Sequence, residues 1–165
     1  GNDAFLALSA EEKSRRRQLC WDKWVRGIDI DLATGEKRGD GTYRGMEHWL
    51  RFAQRHGKKF AISEWGIWPR YVRPDDGGAP VFGGHFGYAA GLNDLDNADF
   101  IARMHAWIAA HDVAWASYFD VRVAAEKIDH SLAPRRVGGE TLFQHPRSAE
   151  AYRRLFGRTG FPARK

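Results

Sequence analysis

Apolar residues recur at helical spacing in several stretches of the chain, and these stretches predict helices. A Ser9–Glu12 capping box precedes the first of them, and Gly57 is placed to end the second. In the second helix, we expect the buried side to be formed by Met46, Trp49, Leu50 and Ala53. The predicted helices cover about residues 11–25, 43–56, 97–111 and 148–156.

Two shorter apolar runs, residues 59–64 and 113–119, are typical of buried strands. The first ends at Glu64, and the second ends at Tyr118 with Asp120 just beyond it. Because these strands alternate with helices of about 10–15 residues, the pattern predicts an α/β chain built from parallel βαβ units.

Two segments rich in glycine, residues 26–42 and 65–95, are predicted to be loops. The longer one directly follows the strand that ends in Glu64, and a loop of this length is usually functional or disordered, so we interpret it as a cleft wall. In the shorter one, Asp29 and Asp31 would share a face of an extended segment and could bind a cation. No third ligand occurs at a matching spacing, and no metal site is predicted.

Glu64 is the candidate for chemistry, because a carboxylate at the end of a buried strand is costly unless it is paired, hydrogen-bonded or used. One interpretation is a structural glutamate held by a neighbouring arginine. The other is a functional carboxylate at the rim of a core.

Residues 45–59, joined to Glu64-Trp65-Gly66, resemble clan A glycoside hydrolases, most closely the β-mannanase-like family 26. In that family, a helix ending in "FA…HGK" leads into strand seven of a (β/α)8 barrel, and the strand ends in the nucleophile of an E-W-G motif. Residues 96–101 and 118–120 look like the start of that family's last helix and the end of its strand eight. The resemblance covers about residues 43–156.

The resemblance implies a retaining glycosidase with Glu64 as its nucleophile. It further implies that Trp65 and Trp68 stack on sugar rings, with core packing as the alternative for Trp65. Tyr118 would hydrogen-bond Glu64 or a sugar hydroxyl, and Asp120 would be a subsite residue or a turn residue. The family's acid/base is a glutamate at the end of strand four, which is expected upstream of this chain.

The length of 165 residues is too short for a whole barrel, which typically needs about 250. We therefore expect residues 1–165 to be a single partial catalytic domain, the C-terminal portion of a (β/α)8 TIM barrel with about strands seven and eight and their flanking helices. The rest of the barrel is expected upstream, and the isolated chain is expected to be inactive.

Some positions depart from the family pattern. Lys59 stands where a proline is common after H-G-K, and strand eight has no evident Trp-Arg pair. These differences concern mannan specificity more than the fold. The substrate could be another β-linked polysaccharide, and the alternative function is a non-catalytic carbohydrate-binding or accessory barrel domain.

Composition narrows the remaining function classes. The net charge is +5, and the arginines are spread over several helices, which favours a solvated cationic surface and no nucleic-acid partner. One cysteine, no HExxH and no G-x-S-x-G motif argue against a Cys-rich zinc site, a zincin and a serine hydrolase, and no cofactor is predicted. No apolar run is long enough to span a membrane. If the chain follows the family, it is extracellular or periplasmic.

Overall fold

The structure is a computed structural model that describes residues 9–30, 35–37, 44–67, 97–123, 128–129, 131–133, 135–137, 140–142 and 145–157. Two compact units divide the chain. Described residues up to Phe60 belong to the first unit, and those from Ala61 onward belong to the second.

Helix α1 (Ala10–Trp24) of the first unit begins where the capping box predicts. The Ser9 hydroxyl accepts a hydrogen bond from the amide of Glu12 at 3.1 Å, which satisfies one of the free N–H groups of the first turn. Cys20 and Val25 are both buried, each 2 % exposed. The free cysteine is therefore part of the core of this unit.

Helix α2 (Met46–Arg55) starts at a close contact between two glycines. Gly27 has a φ of +74°, and a Cβ built on Gly45 would lie 2.4 Å from the Gly27 nitrogen and 2.7 Å from the Val25 carbonyl oxygen. The same carbonyl accepts a hydrogen bond from the amide of Glu47 at 2.9 Å. Only glycine leaves room for this approach.

The buried side of α2 is narrower than the sequence predicts. Leu50 is buried at 4 % exposure, whereas Trp49 is 47 % exposed and its neighbour Phe52 is 45 % exposed. The prediction that Trp49 lies in the buried stripe is wrong. Apolar spacing defines a face of the helix, but it does not determine which residues of that face pack against another element.

The second unit contains a βαβ element. Strands β1 (Phe60–Trp65) and β2 (Val113–Tyr118) pair in parallel, and helix α3 (Ala98–Ala110) connects them. The Asn97 side chain caps α3 by accepting a hydrogen bond from the amide of Phe100 at 3.0 Å. The α/β character and the parallel pairing agree with the sequence prediction, and the barrel assignment stays a prediction.

Helix α3 supplies the core of the second unit. Its buried residues follow helical spacing as predicted: Phe100, Ile101, Met104, Trp107 and Ile108. Helix α4 (Pro146–Phe156) packs against α3, and α3 in turn packs on β2. The helices therefore cover one face of the described sheet.

Between β2 and α4 the chain forms two short antiparallel pairs, where the sequence predicts only a loop. Strand β3 (Arg122–Val123) pairs with β4 (Ile128–Asp129), and β5 (Arg135–Val137) pairs with β6 (Glu140–Leu142). Strands of two or three residues are too short for periodicity to predict them.

Candidate active site at the carboxyl end of β1

Glu64 is exposed at the carboxyl end of β1. Successive side chains of a strand point to opposite faces, so Glu64 lies on the face opposite to that of Trp65. Ile62 shares the face of Glu64 and is buried at 7 % exposure. On this face, Ile62 is buried and Glu64 is exposed, so the strand reaches the surface at its carboxyl end. The sequence predicts the same position for Glu64, at the rim of a core.

Trp65 is 8 % exposed and lies at the centre of an aromatic cluster. Its ring centroid is 6.1 Å from that of Phe100 on α3, 5.2 Å from Tyr118 on β2, and 6.2 Å and 5.6 Å from Tyr152 and Phe156 on α4. These distances are typical of favourable edge and tilted ring contacts. Trp65 thus packs in the core, which is the alternative to sugar stacking that the sequence leaves open. Its contact with a sugar stays a prediction.

Contacts between the two strand ends bring them to one edge of the sheet. The amide of Phe119 donates to the Trp65 carbonyl at 2.7 Å, and the amide of Ile67 donates to the Tyr118 hydroxyl at 3.4 Å. A Cβ built on Gly66 would lie 3.6 Å from the Tyr118 ring, an ordinary contact. The E-W-G segment therefore lies against the end of β2. Glu64 and Tyr118 lie on paired strands but on opposite faces, because Tyr118 shares the side of Trp65. The hydrogen bond of Tyr118 with Glu64 or a sugar hydroxyl stays a prediction.

Asp120 follows the end of β2 and is exposed to solvent. It hydrogen-bonds the backbone of a residue later in the chain. Its Oδ1 accepts a hydrogen bond from the amide of Leu132 at 2.9 Å. An aspartate that binds a backbone amide across a turn is a common structural device. This contact fits the turn alternative, while the role of Asp120 as a subsite residue stays a prediction.

Tyr152 is a residue near this edge that the sequence analysis missed. Its ring lies 5.1 Å from the Tyr118 ring and stacks on Phe156 at 4.7 Å. Partial burial, with a smaller contribution from the charge of Asp120, raises the pKa of the Tyr152 hydroxyl. The i, i+4 spacing of Tyr152 and Phe156 was the available signal, since it places both rings on one side of α4.

Other predicted features lie elsewhere or outside the described residues. Trp68 and most of the predicted cleft-wall loop belong to the undescribed part of the chain. Asp29 lies 3.6 Å from the ammonium group of Lys23, so it has a cationic partner within the protein. The described residues include no group of three or more His, Cys, Asp or Glu side chains that could hold a metal ion. Among the helices described, none is both long and apolar enough to cross a membrane.

No protein-family model, curated protein or solved structure matches the chain. The resemblance to glycoside hydrolases therefore rests on the motif residues alone.

Proposed function

We propose that the protein is a retaining glycoside hydrolase, endo-β-mannanase-like, that acts on a β-linked polysaccharide with Glu64 as its nucleophile. The observation that carries this proposal is the direction of Glu64. Trp65 packs against α3 and α4, so Glu64 lies on the sheet face opposite to these helices. In a (β/α)8 barrel the helices form the outer ring, and catalytic groups sit at the carboxyl ends of the strands. Its place at the carboxyl end of β1 and on this face supports the proposal that Glu64 is the nucleophile.

In this proposal, a Glu64 oxygen attacks the anomeric carbon and the bond to the leaving oxygen breaks. A second carboxyl group, about 5–5.5 Å away, donates the proton that the leaving oxygen takes up. Water then cleaves the glycosyl ester, and the second group accepts the proton of that water. By the family resemblance, the second group is a glutamate upstream of this chain, so Glu64 alone supplies only the nucleophile.

A substrate with an activated leaving group tests the nucleophile separately from the acid. We would incubate the full-length protein with a 2-deoxy-2-fluoro β-mannosyl or β-glucosyl donor carrying a dinitrophenolate. This leaving group needs no protonation, and the fluorine slows hydrolysis of the ester. Peptide mass mapping is expected to find the sugar on Glu64, and Glu64→Gln should remove the label because an amide cannot form the ester.

Labelling of another carboxylate would show that the nucleophile lies elsewhere and that Glu64 is a structural residue. The matched control is Glu47→Gln, which removes a partly exposed carboxylate on α2 and should leave the label in place.

A non-catalytic carbohydrate-binding domain is the second candidate, and the contact of Asp120 favours it. Asp120 is the rival for the second carboxyl group within this chain, and its Oδ1 is occupied by the amide of Leu132. A pure binding domain would bind the polysaccharide without forming the covalent intermediate. Binding in the absence of any labelled peptide would therefore favour this second function.

A further inference from the structure

Residues around helix α2 carry an excess of positive charge. Residues 44–59 contain five lysines and arginines but a single acidic residue, Glu47, which gives this segment a net charge of +4 out of +5 for the whole chain. The cationic members are Arg44, Arg51, Arg55, Lys58 and Lys59, and all of them are exposed. Residues 147–165 carry a similar excess, with six lysines and arginines and one acidic residue, and acidic residues elsewhere in the chain offset part of both.

Aromatic rings run along the same helix as a connected row. The ring centroids are 5.2 Å apart for His48 and Trp49, 6.0 Å for Trp49 and Phe52, and 4.4 Å for Phe52 and His56. Trp49 and Phe52 nevertheless stay 47 % and 45 % exposed. Large apolar rings that remain half-exposed in contact with each other are typical of a binding surface.

One arginine contacts the ring row directly, and a second is paired with the acidic residue of the helix. An Arg44 guanidinium nitrogen is 3.3 Å from Nε2 of His48, and Arg51 is 3.4 Å from the Glu47 carboxylate. Partial burial, followed by the charges of Arg44, Arg55 and Arg51, lowers the pKa of His48. Three guanidinium groups therefore act on one ring, and the cationic and aromatic groups form one face.

We propose that this basic aromatic face of α2 binds an acidic polysaccharide, a chain bearing uronate carboxylates. The face consists of Arg44, His48, Trp49, Arg51, Phe52 and Arg55. A guanidinium matches a carboxylate in a bidentate pair, and exposed aromatic rings accept the flat apolar face of a pyranose. The choice of a sugar polymer over another polyanion rests on the proposed function. The face belongs to the first unit, and the residues assigned to catalysis belong to the second.

The test measures direct binding of fluorescently labelled oligosaccharides to the 165-residue chain. Fluorescence anisotropy gives the affinity at low and at high salt. We expect an oligogalacturonate to bind and a neutral β-mannan oligosaccharide of equal length to bind at least tenfold more weakly. Arg51→Gln combined with Arg55→Gln should weaken oligogalacturonate binding about tenfold, since exposed ion pairs contribute modestly each. Affinity should fall further with added salt because these groups are exposed to solvent.

Matched variants separate the face from the general charge of the protein. Arg154→Gln removes one exposed arginine from α4 and should change the affinity less than twofold. Trp49→Ala should weaken binding about fivefold, as expected for loss of one ring contact. Circular dichroism of each variant checks that it is folded.

Several results would overturn the proposal. These are the absence of oligogalacturonate binding, equal binding of the neutral oligosaccharide, or an equal loss of affinity in Arg154→Gln and in the double variant. Tighter binding of an oligothymidylate with the same number of charges would make the face a nucleic-acid site instead. Absence of labelling at Glu64 of the unchanged protein, together with oligogalacturonate binding, would refute only the nucleophile. Labelling at Glu64 without oligogalacturonate binding would refute only this face.

Discussion

Replacement of Trp65 by alanine is expected to destabilise the second unit strongly, and this substitution separates a core role from a sugar-binding role. Trp65 is 8 % exposed and contacts rings on α3, β2 and α4. Its carbonyl also joins the two strand ends through the amide of Phe119. Loss of the side chain would remove the group that holds both helices against the sheet.

The magnitude follows from the buried area. A tryptophan side chain buries about 200 Å², and at about 25 cal/mol per Å² this amounts to about 5 kcal/mol. Substitutions of this kind typically lower the free energy of unfolding by about 3–5 kcal/mol. That is a large share of the total stability of a domain, which is about 5–15 kcal/mol. Trp65→Phe keeps a ring in the cluster and should cost about 1–2 kcal/mol.

The assay is native-state hydrogen exchange of the β1 and β2 amides in the 165-residue chain, because these amides report on the second unit alone. Trp115→Ala is the matched control, since it removes the same side chain from β2 where Trp115 is 49 % exposed. It should lower protection by about 1–2 kcal/mol, in proportion to its smaller buried area. Equal protection in Trp65→Ala and the unchanged chain would refute the core role and favour a sugar platform.

Two further substitutions test other contacts. Gly45→Ala should destabilise the first unit by about 3 kcal/mol or more, because a Cβ would overlap the Gly27 nitrogen and the Val25 carbonyl oxygen, and urea unfolding measures it. Tyr152 has a raised pKa, mainly from burial and then from the charge of Asp120, so it stabilises the fold fully below pH 10. This contribution is lost as the pH rises through the folded-state pKa, and an alkaline unfolding series should show a loss that is smaller in Tyr152→Phe.

The sequence predicts best the elements whose pattern is local and strongly periodic. The buried residues of α3 recur at helical spacing, and Asn97 caps the helix at its start, so both its position and its core face could be predicted. Glu64 could likewise be placed at a strand end, because an apolar run stops there. For α2, the predicted span of 43–56 exceeds the observed Met46–Arg55 by a few residues at the start.

The parts that could not be predicted depend on residues far apart in the chain. The cluster around Trp65 joins residues from α3, β2 and α4, and the contact of Gly27 with Gly45 crosses 18 positions, so no single window contains either. The exposure of Trp49 had no local signal, because its spacing equals that of a buried residue. A periodic pattern predicts which residues share a face of a helix. Whether they are buried depends on whether another element packs against that face.

The direction of Glu64 is a property of the whole described sheet rather than of one residue. On β1, Trp65 faces the helices and Glu64 faces away. On β2, Tyr118 contacts Tyr152 of α4, so Trp115, three positions earlier, lies on the opposite face and is half-exposed. Ring contacts on both strands therefore assign the same face to the helices. Burial does not follow the faces alone, because Ile62 on the side of Glu64 is buried and Ser63 on the side of Trp65 is exposed. In the E-W-G motif, Trp65 packs against the helices and Glu64 lies on the opposite face of the strand. Under the proposed function, that opposite face is the one that a barrel would enclose.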